Sequence, residues 1–166
     1  NENQIKDDKI LSCASCTTNC VAPVVKIMDE NFGIVKALMT TVHAYTSDQE
    51  LLDGSHKDLR RGRAAAVNLV PTTTGAANDT AKVYPRIKGL FDGLAIRAPV
   101  ITGSLVDFSF VTKKKTRVEE VNKAFEKAAK EELKGILGVT REPLVSSDII
   151  GLELSALVDL SLTKVM

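Results

Sequence analysis

The feature that most constrains the fold is a change of hydrophobic period at Gly33. Before it, apolar side chains recur at the i, i+3, i+4 and i+7 spacing of one helical face, at Val21, Val24, Val25 and Met28. After it, residues 34–45 are rich in β-forming side chains. The pattern predicts a helix over 17–31, ended by Gly33, and then a strand over 34–45. Pro23 lies inside the predicted helix and is expected to disturb its regularity.

The remaining pattern predicts helices and strands around one long loop. Residues 46–69 are rich in polar and charged side chains, and a loop of this length is usually functional. The other predicted elements are the end of a short strand at 9–12, a helix over 76–84, strands over 93–100 and 103–112, a helix opening at Thr116, and a strand over 152–163. The fold class that follows is α+β, with a mixed or largely antiparallel sheet and helices on one face.

Two of these elements have specific signals. Thr116 and Glu119 have the spacing of a capping box, which predicts the start of a helix. In 152–163, apolar residues alternate with mostly polar ones, and this period of two predicts a strand with one buried face.

Length and charge exclude several classes of protein. The chain has 166 residues, which fits one domain, and its hydrophobic fraction of 44% is enough for a core. A net charge of +1 does not favour binding to nucleic acid, and no membrane span is expected because no run of about 18 apolar residues occurs. The chain begins at Asn1 in a polar stretch without Met, which suggests a cut point.

Cys13, Cys16 and Cys20 are close together in the sequence, and their odd number argues against a disulfide framework. Reduced cysteines suit a cytoplasmic protein. Cys16 falls at a predicted strand-to-helix junction, where unpaired N–H groups and the helix dipole favour an anion and hence a nucleophilic thiolate. Hydroxyls at Ser15, Thr17 and Thr18 beside these amides suit a phosphate.

His43 lies within the predicted strand over 34–45, and a histidine paired with Cys16 would activate the thiol and then move protons. Other interpretations remain open from the residues alone. A buried cysteine is most often a small hydrophobe, and Cys20, one turn inside the helix, is most simply structural. The C-x-x-C spacing also allows metal binding, although no fourth ligand is evident nearby.

Five sequence blocks occur in a fixed order along the chain: SCASCTTNC, TTVHAYTSDQ, HKDLRRGRAAA, PTTTGAA and IRAPVITGSLVDFSF. Together they resemble the phosphorylating glyceraldehyde-3-phosphate dehydrogenases, and the similarity covers nearly the whole chain. The resemblance implies the α+β fold of that family's catalytic domain. It also implies that residues 1–166 are this domain, truncated at its C-terminus and without the Rossmann cofactor domain. The sequence agrees, because no G-x-G-x-x-G motif stands between a predicted strand and a predicted helix.

The resemblance also implies the roles of individual residues. Cys16 is the expected nucleophile and His43 the expected general base. The residues expected at the site of the attacking inorganic phosphate are Ser15, Thr17, Thr74 and Gly75. Thr46 and Arg97 are expected to hold the phosphate of the substrate. Arg63 is a further candidate for charge near these sites, with Arg60 and Arg61 competing for the assignment.

The implied reaction oxidises glyceraldehyde 3-phosphate to 1,3-bisphosphoglycerate through a thioester on Cys16, with NAD or NADP and inorganic phosphate. The parent enzyme is expected to be a cytoplasmic homotetramer, and the isolated chain is expected to be inactive as a dehydrogenase. Three alternatives remain: a non-catalytic folding or assembly module, a related enzyme acting on erythrose 4-phosphate, and a free-standing cysteine esterase or acyl-transfer enzyme that uses Cys16 and His43.

Overall fold

A computed structural model describes residues 5–7 and 9–166. Its helices are α1 (Cys16–Phe32), α2 (Ala76–Val83) and α3 (Val118–Lys130). Its strands are β1 (Ile34–Ala44), β2 (Val70–Thr72), β3 (Phe91–Ala98), β4 (Ser104–Thr112), β5 (Leu137–Thr140) and β6 (Ala156–Asp159). Short 3₁₀ turns lie at Ala65–Val67, Pro85–Ile87 and Leu160–Leu162.

The main sheet has four strands in the order β2-β3-β1-β4, and β5 pairs with β6 in a second sheet. Strand β1 runs parallel to β3 and antiparallel to β4, and β2 runs antiparallel to β3. The predicted α+β class with a mixed, mostly antiparallel sheet is therefore confirmed.

Helix α1 forms because its apolar period matches one helical face. Its residues Val21, Val25 and Ile27 are completely buried, and the side-chain oxygen of Ser15 caps its start by accepting from the Thr18 N–H at 3.0 Å. Pro23 lies within the helix without ending it. The predicted bounds of α1 and β1 are confirmed to within one residue at each end.

Strand β1 is buried on one face only. Ala37, Met39 and Thr41 are buried on the side that the helices cover. Leu38 on the opposite face is 61% exposed. The strand register places exposed apolar residues of β3 and β4 on that face as well: Leu94, Leu105 and Val111. We call these four residues the open apolar face.

Three predictions about local structure are wrong. Residues 9–12 form no strand. Helix α3 begins at Val118, and the carboxylate that accepts from the Arg117 N–H at 3.1 Å belongs to Glu120 rather than Glu119. The predicted strand over 152–163 shrinks to β6, because its partner β5 has only four residues and Asp159 accepts from the Ser161 N–H at 2.9 Å, which starts a 3₁₀ turn.

The loop predicted over 46–69 is confirmed in outline, with one 3₁₀ turn near its end. Strands β2 and β5 were not predicted. Each is too short for its apolar period to be read from the sequence.

A buried carboxylate joins α1 to β1 and to the segment after α2. Asp29 accepts from the Ile34 N–H at 3.0 Å and from the Tyr84 hydroxyl at 2.9 Å, and it pairs with Arg86 at 3.1 Å. Burial alone would raise the pKa of Asp29, but these hydrogen bonds outweigh it and hold the pKa below its ordinary value. Burial, and then the hydrogen bond to Asp29, raises the pKa of Tyr84 to about 12.

We predict that Asp29→Asn lowers the free energy of unfolding at neutral pH by about 1–3 kcal/mol, because buried hydrogen-bonding groups lose their charged partner. Tyr84→Phe should cost about 1 kcal/mol, since it removes one of these bonds. Urea denaturation followed by circular dichroism measures both, with the exposed Asp107→Asn as a matched control expected within about 0.5 kcal/mol of the parent.

The stability that Asp29 contributes is present above the pKa of an unfolded aspartate, because its folded pKa is lowered. It is lost as the pH falls through the folded pKa. The difference in free energy of unfolding between the parent chain and Asp29→Asn should therefore shrink as the pH falls. If the difference in free energy of unfolding stays constant as the pH falls into the acidic range, Asp29 is not ionised in the folded chain.

Candidate active site

The connection at Gly33 brings Cys16 and His43 together. Helix α1 and strand β1 run in opposite directions on either side of this one residue, so the start of the helix meets the end of the strand. Cys16 is the first residue of α1, and His43 is the second-last residue of β1. The Sγ atom of Cys16 lies 3.4 Å from Nε2 of His43. The pair proposed from the sequence is thus in contact.

The turn before α1 is held by the side chain of Asn19, which the sequence interpretation did not include. Its Nδ2 donates to the carbonyl of Cys13 at 2.6 Å and to that of Ser15 at 2.9 Å. Ala14 between them has a φ of 56°, a conformation that few residues other than glycine adopt. These contacts fix the backbone that presents the Cys16 thiol.

Arg97 lies beside His43 because β1 and β3 pair in parallel with these two residues opposite each other. Its Nη1 lies 2.7 Å from Nδ1 of His43 and donates to the carbonyl of Ala44 at 3.1 Å. Burial, followed by the positive charge of Arg61, lowers the pKa of Arg97.

These residues face a cavity of about 330 Å³. All eight residues named from the sequence line it: Ser15, Cys16, Thr17, His43, Thr46, Thr74, Gly75 and Arg97. Thr46 is placed by a turn in which the Gln49 N–H donates to its carbonyl at 2.9 Å. Thr74 and Gly75 come from the turn that enters α2, where the Thr74 hydroxyl accepts from the Ala76 N–H at 3.2 Å.

The structure distinguishes Arg61 from Arg63, two of the three loop arginines. Arg61 lines the cavity, whereas the side chain of Arg63 is 63% exposed and pairs with Asp53 at 3.0 Å. The Arg61 guanidinium donates to the Thr72 hydroxyl at 2.8 Å, to the Asp48 carboxylate at 2.5 Å and to the Thr73 carbonyl at 3.4 Å. Hydrogen bonds from Arg61, and then from His56, hold the pKa of Asp48 below its ordinary value.

Thr41 and Asp79 are among the cavity residues that were not predicted. Thr41 is 1% exposed, and its hydroxyl has no hydrogen-bond partner among the described residues. Asp79 adds a negative charge from α2, which Lys82 partly offsets at 2.7 Å. The alternation along β1 places Thr41 on the same face as His43, a signal that could have found it.

The other two cysteines differ from Cys16 in their surroundings. Burial, and then the nearby charge of Cys16, raises the pKa of Cys20 to about 11, so this thiol stays protonated at neutral pH. Cys13 is exposed. Within residues 5–7 and 9–166, no group of three or more His, Cys, Asp or Glu side chains is placed to hold a metal ion. None of the helices in these same ranges is long and apolar enough to span a membrane.

Fold and site together define a class of protein: an α+β domain with a cysteine–histidine pair at a cavity that two arginines line. The family model described as glyceraldehyde 3-phosphate dehydrogenase, C-terminal domain, matches residues 15–166. The chain therefore belongs to this family.

Curated relatives agree with this assignment. The chain is 59% identical over 157 residues to glyceraldehyde-3-phosphate dehydrogenase of Streptomyces coelicolor, covering 94% of the chain and 47% of the relative. It is 57% identical to glyceraldehyde-3-phosphate dehydrogenase 2 of Streptomyces avermitilis, covering 95% and 47%. It is 56% identical to the chloroplastic glyceraldehyde-3-phosphate dehydrogenase A of Scenedesmus vacuolatus, covering 96% and 51%. The chain spans about half the length of these relatives.

We predict that Cys16 is the most reactive of the three thiols, because it lies at a helix N-terminus in contact with His43. Limiting iodoacetamide under native conditions, followed by peptide mass spectrometry, should label Cys16 first. His43→Ala should slow this labelling, whereas the unfolded chain should label all three positions alike. Preferential labelling of Cys13 or Cys20 in the folded chain would contradict the assignment.

Proposed function

We propose that this chain is the catalytic domain of a phosphorylating glyceraldehyde-3-phosphate dehydrogenase, an oxidoreductase that uses Cys16 as its nucleophile. The observation that carries the proposal is the 3.4 Å contact between Cys16 Sγ and His43 Nε2 beside a cavity that Arg61 and Arg97 line. The names of the relatives support the reaction class. The substrate proposed is glyceraldehyde 3-phosphate, and a cytoplasmic location is proposed with it.

The proposed chemistry begins with attack of the Cys16 thiolate on the aldehyde carbon, which forms a thiohemiacetal. His43 then takes the proton of its hydroxyl at Nε2 as the carbon is oxidised to a thioester. Inorganic phosphate attacks the thioester, the C–S bond breaks, and an acyl phosphate leaves while Cys16 regains its thiolate. NAD or NADP supplies the chemistry of accepting the hydride when bound. Among the described residues, no glycine-rich turn leads from a strand into a helix, so we assign no residue of this chain to the cofactor.

Two anion sites are proposed because both the substrate and the attacking group are phosphates. Arg97 and Thr46 are assigned to the substrate phosphate. Ser15, Thr17, Thr74 and Gly75 are assigned to inorganic phosphate. Of the loop arginines, Arg61 is the one proposed to add charge near these sites, because it lines the cavity. Three of its five N–H groups hold it in place and leave two for a ligand.

Assembly into a homotetramer is proposed for the parent enzyme, supported by the open apolar face.

Erythrose 4-phosphate remains a second substrate candidate, because it offers the same aldehyde and phosphate groups to the same residues.

We predict that inorganic phosphate at millimolar concentration raises the melting temperature of the chain, since a ligand selective for the folded state stabilises it. Arg97→Ala and Arg61→Ala should each reduce the shift, while Arg63→Ala, which removes an exposed arginine outside the cavity, should leave it unchanged. Differential scanning fluorimetry at constant ionic strength measures the effect. An equal shift in all four proteins would mean that phosphate binds elsewhere.

We further predict that the 166-residue chain alone does not reduce NAD or NADP with glyceraldehyde 3-phosphate, because hydride transfer requires a positioned cofactor. Hydrolysis of an activated ester should still occur, since it needs only the thiolate, His43 and nearby donors. Both assays are run beside Cys16→Ser. Reduction of the cofactor that disappears in Cys16→Ser would contradict the first expectation, and ester hydrolysis unchanged in Cys16→Ser would contradict the second.

A further inference from the structure

Two aspartates hold the guanidinium of Arg61 from different sides. Asp48 accepts from its Nη1 at 2.5 Å, and the Thr72 hydroxyl accepts from its Nε at 2.8 Å. The same hydroxyl donates to the Asp58 carboxylate at 3.1 Å, and that carboxylate lies 3.6 Å from Nε of Arg61. Asp48 and Asp58 therefore determine how the guanidinium faces the cavity.

The imidazole of His56 lies between these two aspartates. Its Nδ1 accepts from the backbone N–H of Asp58 at 2.9 Å, and its Nε2 lies 3.5 Å from Oδ1 of Asp48. A carboxylate only accepts hydrogen bonds, so the nitrogen that faces Asp48 must carry a hydrogen to bind it. In the neutral ring the other nitrogen is then bare and can accept from Asp58. One tautomer thus satisfies both contacts.

The opposite tautomer would place two acceptors against each other. The Asp58 carbonyl lies 3.0 Å from Nδ1 of His56 and could accept a hydrogen from it, although this carbonyl already accepts from the Gly62 N–H at 3.1 Å. A bare Nε2 would then face the Asp48 carboxylate, and neither atom would have a hydrogen to donate. The geometry therefore favours hydrogen on Nε2.

The histidine is held more firmly than the carboxylate that it contacts. The side chain of His56 is 20% exposed, whereas that of Asp48 is 54% exposed and lies in the turn after β1. The backbone of Gly62 packs so closely that an added Cβ would lie 3.3 Å from Cβ of His56. An exposed carboxylate loses side-chain freedom when it pairs with an arginine. A second donor on its other oxygen restricts the carboxylate before that pairing.

We propose that His56 is a positioning residue for the anion site, and that through Asp48 it holds the Arg61 guanidinium toward the phosphate. This inference rests on the proposed function, because it concerns the arginine that is proposed to add charge near the two phosphates. Arg61 lines the cavity, whereas His56 and Asp48 lie behind it. Loss of the contact between His56 and Asp48 should weaken phosphate binding about two- to fivefold, the range of one exposed ion-pair contact.

Two substitutions separate the roles of the two ring nitrogens. His56→Asn keeps an oxygen that can accept from the Asp58 N–H, as in an Asx-turn, but its side chain is too short to donate to Asp48. His56→Gln places an amide N–H₂ near the position of Nε2 and can still donate to Asp48. If His56 only shapes the loop, the Asn variant should resemble the parent chain. If it positions Arg61, the Gln variant should.

The primary experiment is an NMR titration of the 166-residue chain with inorganic phosphate at constant ionic strength. At a pH of about 8.5, where an ordinary imidazole is neutral, neither substitution changes the charge. The dissociation constant for phosphate should rise about two- to fivefold in His56→Asn. It should stay close to the parent value in His56→Gln and in Ser55→Asn, a control at the exposed neighbouring residue. An unchanged or lower constant in His56→Asn, or an equal rise in His56→Gln, would overturn the proposal.

A double-mutant cycle tests whether His56 acts through Asp48. In the background of Asp48→Ala, the substitution His56→Asn should leave the dissociation constant for phosphate unchanged, because the contact that it removes is already lost. A rise as large as the one in the parent background would show that His56 acts by another route, and the proposal would then be wrong.

The tautomer of His56 can be measured in the parent chain, so the test does not depend on a variant that folds. Nitrogen-15 NMR at the same pH should find the ring hydrogen on Nε2, and a hydrogen on Nδ1 would contradict the proposed contact with Asp48. The sequence has one other histidine, His43, and the spectrum of His56→Gln assigns the two signals. Melting curves establish that each variant is folded.

The outcomes separate this inference from the proposed function. Arg61→Ala tests the anion site itself, because Arg61 lines the cavity. If Arg61→Ala weakens phosphate binding and His56→Asn does not, the inference fails and the proposed site stands. If Arg61→Ala binds phosphate as tightly as the parent chain, the role proposed for Arg61 fails and the inference fails with it.

Discussion

The geometry of the site depends on the hydrogen bond between the Asp29 carboxylate and the Ile34 N–H. Together with the bond from the Gly33 N–H to the Asp29 carbonyl at 2.9 Å, it forces the chain to reverse within one residue. Gly33 has a φ of 69°, a backbone conformation that few residues other than glycine adopt, so this residue has a conformational reason to be glycine. Because the reversal is so short, the first residue of α1 lies beside the end of β1.

The sheet supplies the second constraint, which is register. His43 and Arg97 are opposite each other in the parallel pair of β1 and β3, and His43 shares the helix-covered face of β1 with Thr41. A shift of one residue would turn both side chains to the other face and separate them from Cys16. The cavity is therefore built from the start of α1, the pairing of β1 with β3 and the turn that enters α2. The loop adds Thr46 and Arg61, and bonds to Asp48 and Thr72 hold Arg61 in place.

Sequence reasoning succeeded where the signal is local. The periods of α1 and β1 span several turns or residue pairs, so both elements could be read from neighbouring residues. Of the eight cavity residues, four were first proposed from local sequence signals: Ser15, Cys16, Thr17 and His43. The other four came from the resemblance to a family: Thr46, Thr74, Gly75 and Arg97. The choice between Arg61 and Arg63 could not be made, because the partners of Arg61 are distant in sequence. Alternation in 152–163 misled for a related reason: the extent of β6 is set by its short partner β5, which lies elsewhere in the chain.

The open apolar face has a consequence for how the site moves. Leu38 and His43 belong to the same strand, and neighbouring residues of β1 point to opposite sides of the sheet. A surface that covered Leu38, Leu94, Leu105 and Val111 would exclude water from the back of β1 and restrain its backbone. The imidazole ring would then have a narrower range of distances to Cys16 and Arg97. If such an assembly dissociated on dilution, the open apolar face would be uncovered, and the distances between His43, Cys16 and Arg97 would vary more widely. No residue of the cavity itself would have changed its contacts with a partner.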